Sequence, residues 1–284
     1  MSSEPSEPGS NTSATSGYTQ GHSAAVVASH ASRTVNNSAA FLLPHLKPDF
    51  TLLDLGCGPG TITRGFCSYI PRGRVIGIDA AESVIEQAQA FSSASTKTEY
   101  PNLSFQVGDI TAALPFADGS IDVVYTSQTI LHIPAPVAVM KEAHRVLKPG
   151  GMLAMRETDS MVWHPTNSGM DAYWAALGKA VPPGAQGMGT GRRLHVWAKE
   201  AGFSAAKMQV GTGGMCYAAP DLSRWWADVH VQRLRGDVGK KWVEDLKLVR
   251  DQNEIDEMVA GLKAWGDNEE AWYAALQGEL ICWK

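Results

Sequence analysis

The chain is sparing with cysteine. It has four in 284 residues, Cys57, Cys67, Cys216 and Cys282, and no two stand in CxxC spacing. A thiolate zinc site is therefore not expected, and in a reducing compartment the thiols are free. No HExxH pair is present either, so no metal is assigned. Surplus positive charge is also lacking. Lys and Arg number 24 against 29 Asp and Glu, for a net charge of −5. That balance gives no electrostatic basis for a nucleic-acid partner. No apolar run approaches the ~18 residues of a membrane helix. The start, "MSSEPSEPGSNTSATSG", has neither the basic opening nor the apolar middle of a signal peptide. A cytoplasmic location is the expectation.

What is present suffices for one large domain with additions, since 44% of the residues are hydrophobic. Residues 1–16 are too polar to offset their ordering entropy and are expected to form a disordered tail. Residues 17–48, with "SAAVVASHASRTVNNSAAFLLPHL", read as helical, and Pro44 marks an end. From residue 49 short apolar runs alternate with helical stretches. Strands are expected at 51–56, 74–79, 103–109, 121–127 and 151–157. Helices are expected at 61–70, 82–91 and 136–148. This alternation implies an α/β fold, a parallel sheet covered on both faces. Beyond residue 160 the pattern loosens. A helix is expected at 191–203, strands at 205–212 and 276–283, and a helical insert over about 220–273. Six tryptophans fall after residue 220, five of them within 220–273. Such aromatic helices either cap a small-molecule cleft or fill a core of their own.

The chemistry concentrates in "LLDLGCGPGTIT" (52–63). In an open α/β sheet, ligands sit beyond the carboxyl ends of the strands. The loop after the first strand carries Gly56, Gly58 and Gly60 in G-x-G-x-G spacing. A dinucleotide reader has G-x-G-x-x-G, and a P-loop needs a Lys-Ser or Lys-Thr that is missing here. Asp54, just before the loop, repels a pyrophosphate and suits a ligand with a cationic group. Asp79 ends the second strand, where a carboxylate accepts the hydroxyls of a ribose. Asp109 follows Gly108 at the end of the third, where it can accept from an exocyclic amine. An amino-acid-like end, a ribose and an adenine without a phosphate clamp describe S-adenosylmethionine.

The segments "LLDLGCGPGTIT", "VIGIDAAESVIEQA", "FQVGDITAALPFADGSIDVVYTSQTILHI" and "KEAHRVLKPGGMLAM" span about residues 50–155. Together they resemble the class I S-adenosylmethionine-dependent methyltransferases, nearest to the ubiquinone and menaquinone biosynthesis group with its many small-molecule enzymes. The stretches before and after, "YTQGHSAAVVASHASRTVNNSAAFLLPHL" and "WYAALQGELICWK", resemble one subgroup. The resemblance implies a Rossmann-like sheet of seven strands, mostly parallel with the last antiparallel, flanked by helices. It implies a lid at 17–48 and a methyltransferase domain at 49–284, with helical cap insertions at about 160–190 and 215–273. Gly56 and Gly58 would pack on the methionine moiety, with Asp54 and Cys57 counted in the same loop. Asp79 and Ala80 would hold the ribose. Gly108, Asp109 and Ile110 would frame the adenine. Ser127 and Gln128 would line the methionine side. Tyr18, His22 and Arg33 would close over the cofactor, Arg33 toward its carboxylate. The Cys57 thiol itself reads as a packing group rather than a nucleophile.

Methyl transfer is an in-line displacement at a carbon on a sulfonium, so the protein mainly aligns and dries the site. A base matters when the acceptor is a weak acid. His132 in "QTILHI" is the leading candidate, followed by Glu157, with Asp159, His164 and Tyr217 further off. The expected partner is a small, largely apolar methyl acceptor, with S-adenosylhomocysteine as product. The acceptor atom (O, S, N or C) and the oligomeric state stay open. Two other readings are an NAD- or nucleotide-linked Rossmann enzyme and a non-catalytic methyltransferase-like subunit. The glycine spacing argues against the first, and the intact Asp79 and Asp109 against the second.

Overall fold

The structure, a computed structural model, describes residues 32–94 and 100–284, with backbone only over 91–94. The expected tail and residues 17–31 of the expected lid, including Tyr18 and His22, lie outside the described residues.

Seven strands form one sheet in the order β3-β2-β1-β4-β5-β7-β6. They are β1 (Thr51–Leu55), β2 (Arg74–Asp79), β3 (Leu103–Val107), β4 (Ile121–Ser127), β5 (Leu147–His164), β6 (Met208–Tyr217) and β7 (Trp272–Trp283). The neighbours from β3 to β5 pair in parallel, and β7 runs antiparallel to both β5 and β6. The described helices are α1 (Val35–Ser38), α2 (Thr61–Gly65), α3 (Glu82–Ala94), α4 (Pro136–Val146), α5 (Ser168–Lys179), α6 (Leu194–Glu200), α7 (Pro220–Arg235), α8 (Asp237–Glu244) and α9 (Gln252–Gly266). The expected Rossmann-like sheet, mostly parallel with its last strand antiparallel, is what forms.

Central burial explains the continuous apolar runs. All five residues of β1 are buried, Asp54 among them. One face carries Leu53, Leu55, Val124, Leu153 and Leu280 against Met140 and Ala143 of α4 and Trp197 of α6. The other carries Leu52, Val75, Tyr125, Ala154 and Ile281 against Val35, Leu42 and Phe66. Burying both faces of a parallel sheet supplies the main driving force.

Five expectations shift. The helix expected at 61–70 stops at Gly65 and tightens into a 3₁₀ turn over Phe66–Ser68. A Cβ on Gly65 would stand 2.7 Å from the Val35 Cβ, so this turn lies hard against α1. The fifth strand runs through His164, because Ser160–His164 continue the ladder onto Leu276–Trp272 of β7. That pairing also starts β7 four residues early, and the sixth strand slides to 208–217. The single helical insert is three helices, α7 to α9. Gly236 separates α7 from α8, and Asp251 caps α9 by accepting the N–H groups of Asn253 and Glu254.

The aromatic helices fill a core of their own. Trp174, Trp226, Trp242 and Trp265 bury with Tyr173 and Tyr273 between α5, α7, α8, α9 and the far ends of β5 and β7. Trp226 lies 4.2 Å, centroid to centroid, from Tyr273 and 5.2 Å from Trp174. None of these tryptophans lines the cleft described next.

Candidate active site

A cleft of about 370 Å³ opens at the carboxyl ends of β1 to β4. One wall is the glycine loop between β1 and α2. Gly56 and Gly58 have φ of +72° and +55°, which side chains rarely adopt. A Cβ on Gly56 would fall 2.4 Å from Thr129 Cγ2, whereas above Gly58 nothing lies within 4 Å. The first glycine thus admits close packing, and the second leaves bare backbone facing open space.

Asp79 is built into this loop. One carboxylate oxygen accepts the Gly58 N–H at 3.0 Å and the other accepts the Ala81 N–H at 3.1 Å. Next to it, Asp109 turns back on Thr111, accepting its N–H at 2.8 Å and its hydroxyl at 2.7 Å. Both carboxylates border the cleft, together with Ala80, Gly108 and Ile110. Cys57 borders it as well. Its thiol is buried and its pKa is pushed well up by that burial, with Asp54 and Asp79 adding, as fits a packing group.

The opposite wall is the turn after β4. Ser127, Gln128 and His132 line the cleft, and so does Arg33 from the segment before α1. Gln128 holds a φ of +55°, a cost for a residue with a side chain. Its amide oxygen accepts a short hydrogen bond from the Thr158 hydroxyl. His132 is pushed from the ordinary 6.5 down to about 4, first by burial, then by the guanidinium charges of Arg33 and Arg233. It is therefore neutral at pH 7.

Two residues expected at the site face elsewhere. Asp54 is buried beneath the loop and accepts the Thr63 hydroxyl at 2.6 Å, so it anchors α2 rather than facing a ligand. Burial raises its carboxyl to about 7, against the Thr63 hydrogen bond. Glu157 is fully buried and does not line the cleft. It accepts the N–H groups of Thr129 at 3.0 Å, Ile130 at 2.9 Å and Leu131 at 3.4 Å. Among the further candidates, Asp159 is paired with Arg192 at 2.7 Å, and neither His164 nor Tyr217 lines the cleft.

Sequence reasoning missed Pro59, Thr61, Ile62, Val84, Thr129, Ile133, Pro134 and Pro182 as lining residues. Most flank the motifs and could have been found by widening them. Pro182 comes from a distant loop that carries no motif. That loop is tied to the turn by the Gly187 N–H, which donates to the Leu131 carbonyl at 2.9 Å.

Comparison with known proteins identifies the family. Residues 46–206 match the family model of the methyltransferase domain. "Probable methyltransferase ltbC" of Aspergillus luteorubrus is 34% identical over 287 residues, covering 96% of this chain and 99% of that protein. Demethylmenaquinone methyltransferase of Lactococcus lactis is 39% identical over 117 residues, covering 41% of this chain and 43% of that one. Phosphoethanolamine N-methyltransferase 2 of Haemonchus contortus, solved with phosphomonomethylethanolamine and S-adenosylhomocysteine, shares the fold at a TM-score of 0.54 and 20% identity, over 88% of this chain and 53% of that one. The chain belongs to the methyltransferase domain family, and it is a methyltransferase.

Proposed function

We propose that the cleft binds S-adenosylmethionine across the carboxyl ends of β1 to β4 and passes its methyl group to a small, largely apolar acceptor. The observation that carries this is the pair of cleft-bordering carboxylates, Asp79 and Asp109, beside a glycine loop whose backbone at Gly58 is open to the cleft. This surface suits a nucleoside with free hydroxyls and an amine, and repels a pyrophosphate. When bound, the cofactor supplies an electrophilic methyl carbon on a sulfonium.

The chain's own residues do the rest. Asp79 accepts from the ribose hydroxyls, with Ala80 beside it. Gly108, Asp109 and Ile110 frame the adenine. Gly56, Cys57 and Gly58 make room for the methionine portion, and Ser127 and Gln128 face it. Arg33 pairs with its carboxylate, as the described end of a lid over 17–48. Ile62, Ile133, Pro134 and Pro182 give the acceptor an apolar surface and exclude water. His132 is the lining group able to take a proton. A pKa of about 4 makes it a weak base, so it favours acceptors that ionise readily, such as thiols and acidic phenols, over alcohols.

Calorimetry with S-adenosylhomocysteine tests the cofactor assignment. Binding by the native protein is expected, and the absence of heat overturns it. A screen of thiol, phenol and quinol acceptors for S-adenosylhomocysteine release then identifies the acceptor class.

A further inference from the structure

A carboxylate in a protein interior is costly unless its oxygens are met by donors. Glu157 is fully buried, and its two oxygens are met by three successive backbone N–H groups, those of Thr129, Ile130 and Leu131. The residues beside it in β5 grip the same turn. The Arg156 carbonyl accepts the Gln128 N–H at 3.0 Å, and the Thr158 hydroxyl donates to the Gln128 amide oxygen. Three consecutive residues of one strand thus hold four consecutive residues of the turn after β4.

We infer that Glu157 is a positioning residue, which sets the turn over residues 128–132 and, through it, the wall of the cleft opposite the nucleoside. The consequence reaches the glycine loop. Thr129, held by Glu157, occupies the space where Gly56 would carry a side chain. The Thr129 hydroxyl lies between two carbonyls, that of Ser127 at 3.2 Å and that of Gly56 at 3.4 Å. The Glu157 carboxylate therefore fixes the spacing between the two walls without touching a ligand. The same turn delivers His132 to the cleft. A glutamate suits the task because its carboxyl oxygens carry several acceptor sites, and buried backbone donors are costly to leave unmet; burial raises its pKa from 4.5 to about 7, against the pull of the three N–H groups.

Only the naming of the far wall as the methionine and acceptor side rests on the proposed function; the hydrogen bonding does not. The test uses Glu157→Ala and Glu157→Gln in the full chain, with two probes and one ligand-free readout. Adenosine engages the Asp79 and Asp109 side alone, whereas S-adenosylhomocysteine spans both walls. In Glu157→Ala, affinity for S-adenosylhomocysteine is expected to fall by about tenfold or more. Adenosine affinity should stay within about twofold. Glu157→Gln, which keeps one acceptor oxygen, should recover part of the loss. In the ligand-free protein, the His132 imidazole, followed by NMR, should titrate near 4 in the native chain and move toward 6.5 in Glu157→Ala as the turn loosens.

Equal losses for both probes, or native S-adenosylhomocysteine affinity with an unmoved His132, overturn the inference. If the alanine variant does not fold, Glu157→Asp, one methylene shorter, replaces it in the same measurements. A native protein that binds neither probe overturns the proposed function instead, and the His132 titration then decides the role of Glu157 alone.

Discussion

Asp79 and Gly58 hold each other in place: the carboxylate at the end of β2 accepts the Gly58 N–H at 3.0 Å. One side chain thus shapes the loop and presents its remaining lone pairs to the cleft. Under the proposed function, its removal should disturb loop order and ribose binding together. Asp79→Ala should weaken S-adenosylhomocysteine binding by about a hundredfold, as for a lost charge-assisted hydrogen-bond pair. Calorimetry measures it, and a change below about threefold would exclude Asp79 from nucleoside binding.

Gly56→Ala makes a different demand. The new methyl would meet Thr129 at 2.4 Å, at a φ of +72°. The expected cost is about 1–3 kcal/mol from strain and overpacking. Thr129→Ser deletes the nearest atom, Cγ2, and should return part of it. Urea denaturation of the two single variants and the double variant measures the coupling.

Asp54 sets a pH dependence. Its carboxyl is raised from 3.8 to about 7 in the folded chain, chiefly by burial. A folded value above the unfolded one means that the folded state binds the extra proton between them. Its contribution is therefore complete below the unfolded value and is lost as pH rises through about 7. The stability of the native chain relative to Asp54→Asn should decline from about pH 4 to about pH 7, by up to ~1.4 kcal/mol per pH unit, and level off above. His132, lowered to about 4, acts in the opposite sense, gaining the chain stability as pH rises toward 6.5. Taking the difference between the two proteins cancels that term. A difference that grows with pH would refute the assignment.

Trp242 separates packing from polarity. It is fully buried, and its indole N–H has no hydrogen-bond partner among the described residues. Trp242→Ala should cost about 3–5 kcal/mol. Trp242→Phe keeps most of the ring and removes the unmet donor, so it should cost well under half of that. Chemical denaturation of both variants checks the ratio.

Much of this was legible beforehand, for a physical reason. The glycine loop, Asp79 and Asp109 act through local backbone geometry at strand ends, and such geometry is written in short spacings. Asp54 and Glu157 were placed correctly along the chain but misread in direction. Whether a carboxylate at a strand end looks into the cleft or back at a neighbouring turn depends on the strand beside it. Pro182 was invisible because a loop joins a cleft by folding, without any periodic mark. The extension of β5 through "DSMVWH" was hidden because the five polar residues at 156–160 interrupt the apolar run. Only its pairing with β7 makes that segment a strand.

That pairing has a bearing on how the molecule comes apart. β5 and β7 place Leu153 and Leu280 in one sheet-face core, Ala154 and Ile281 in the other, and Tyr273 and Ala275 in the aromatic core. The three cores share one hydrogen-bonded ladder, so the aromatic helices have no separate melting unit of their own. Amides of β5 and β7 should be the slowest to exchange with deuterium, and loss of the helices should register in the same cooperative step as loss of the sheet.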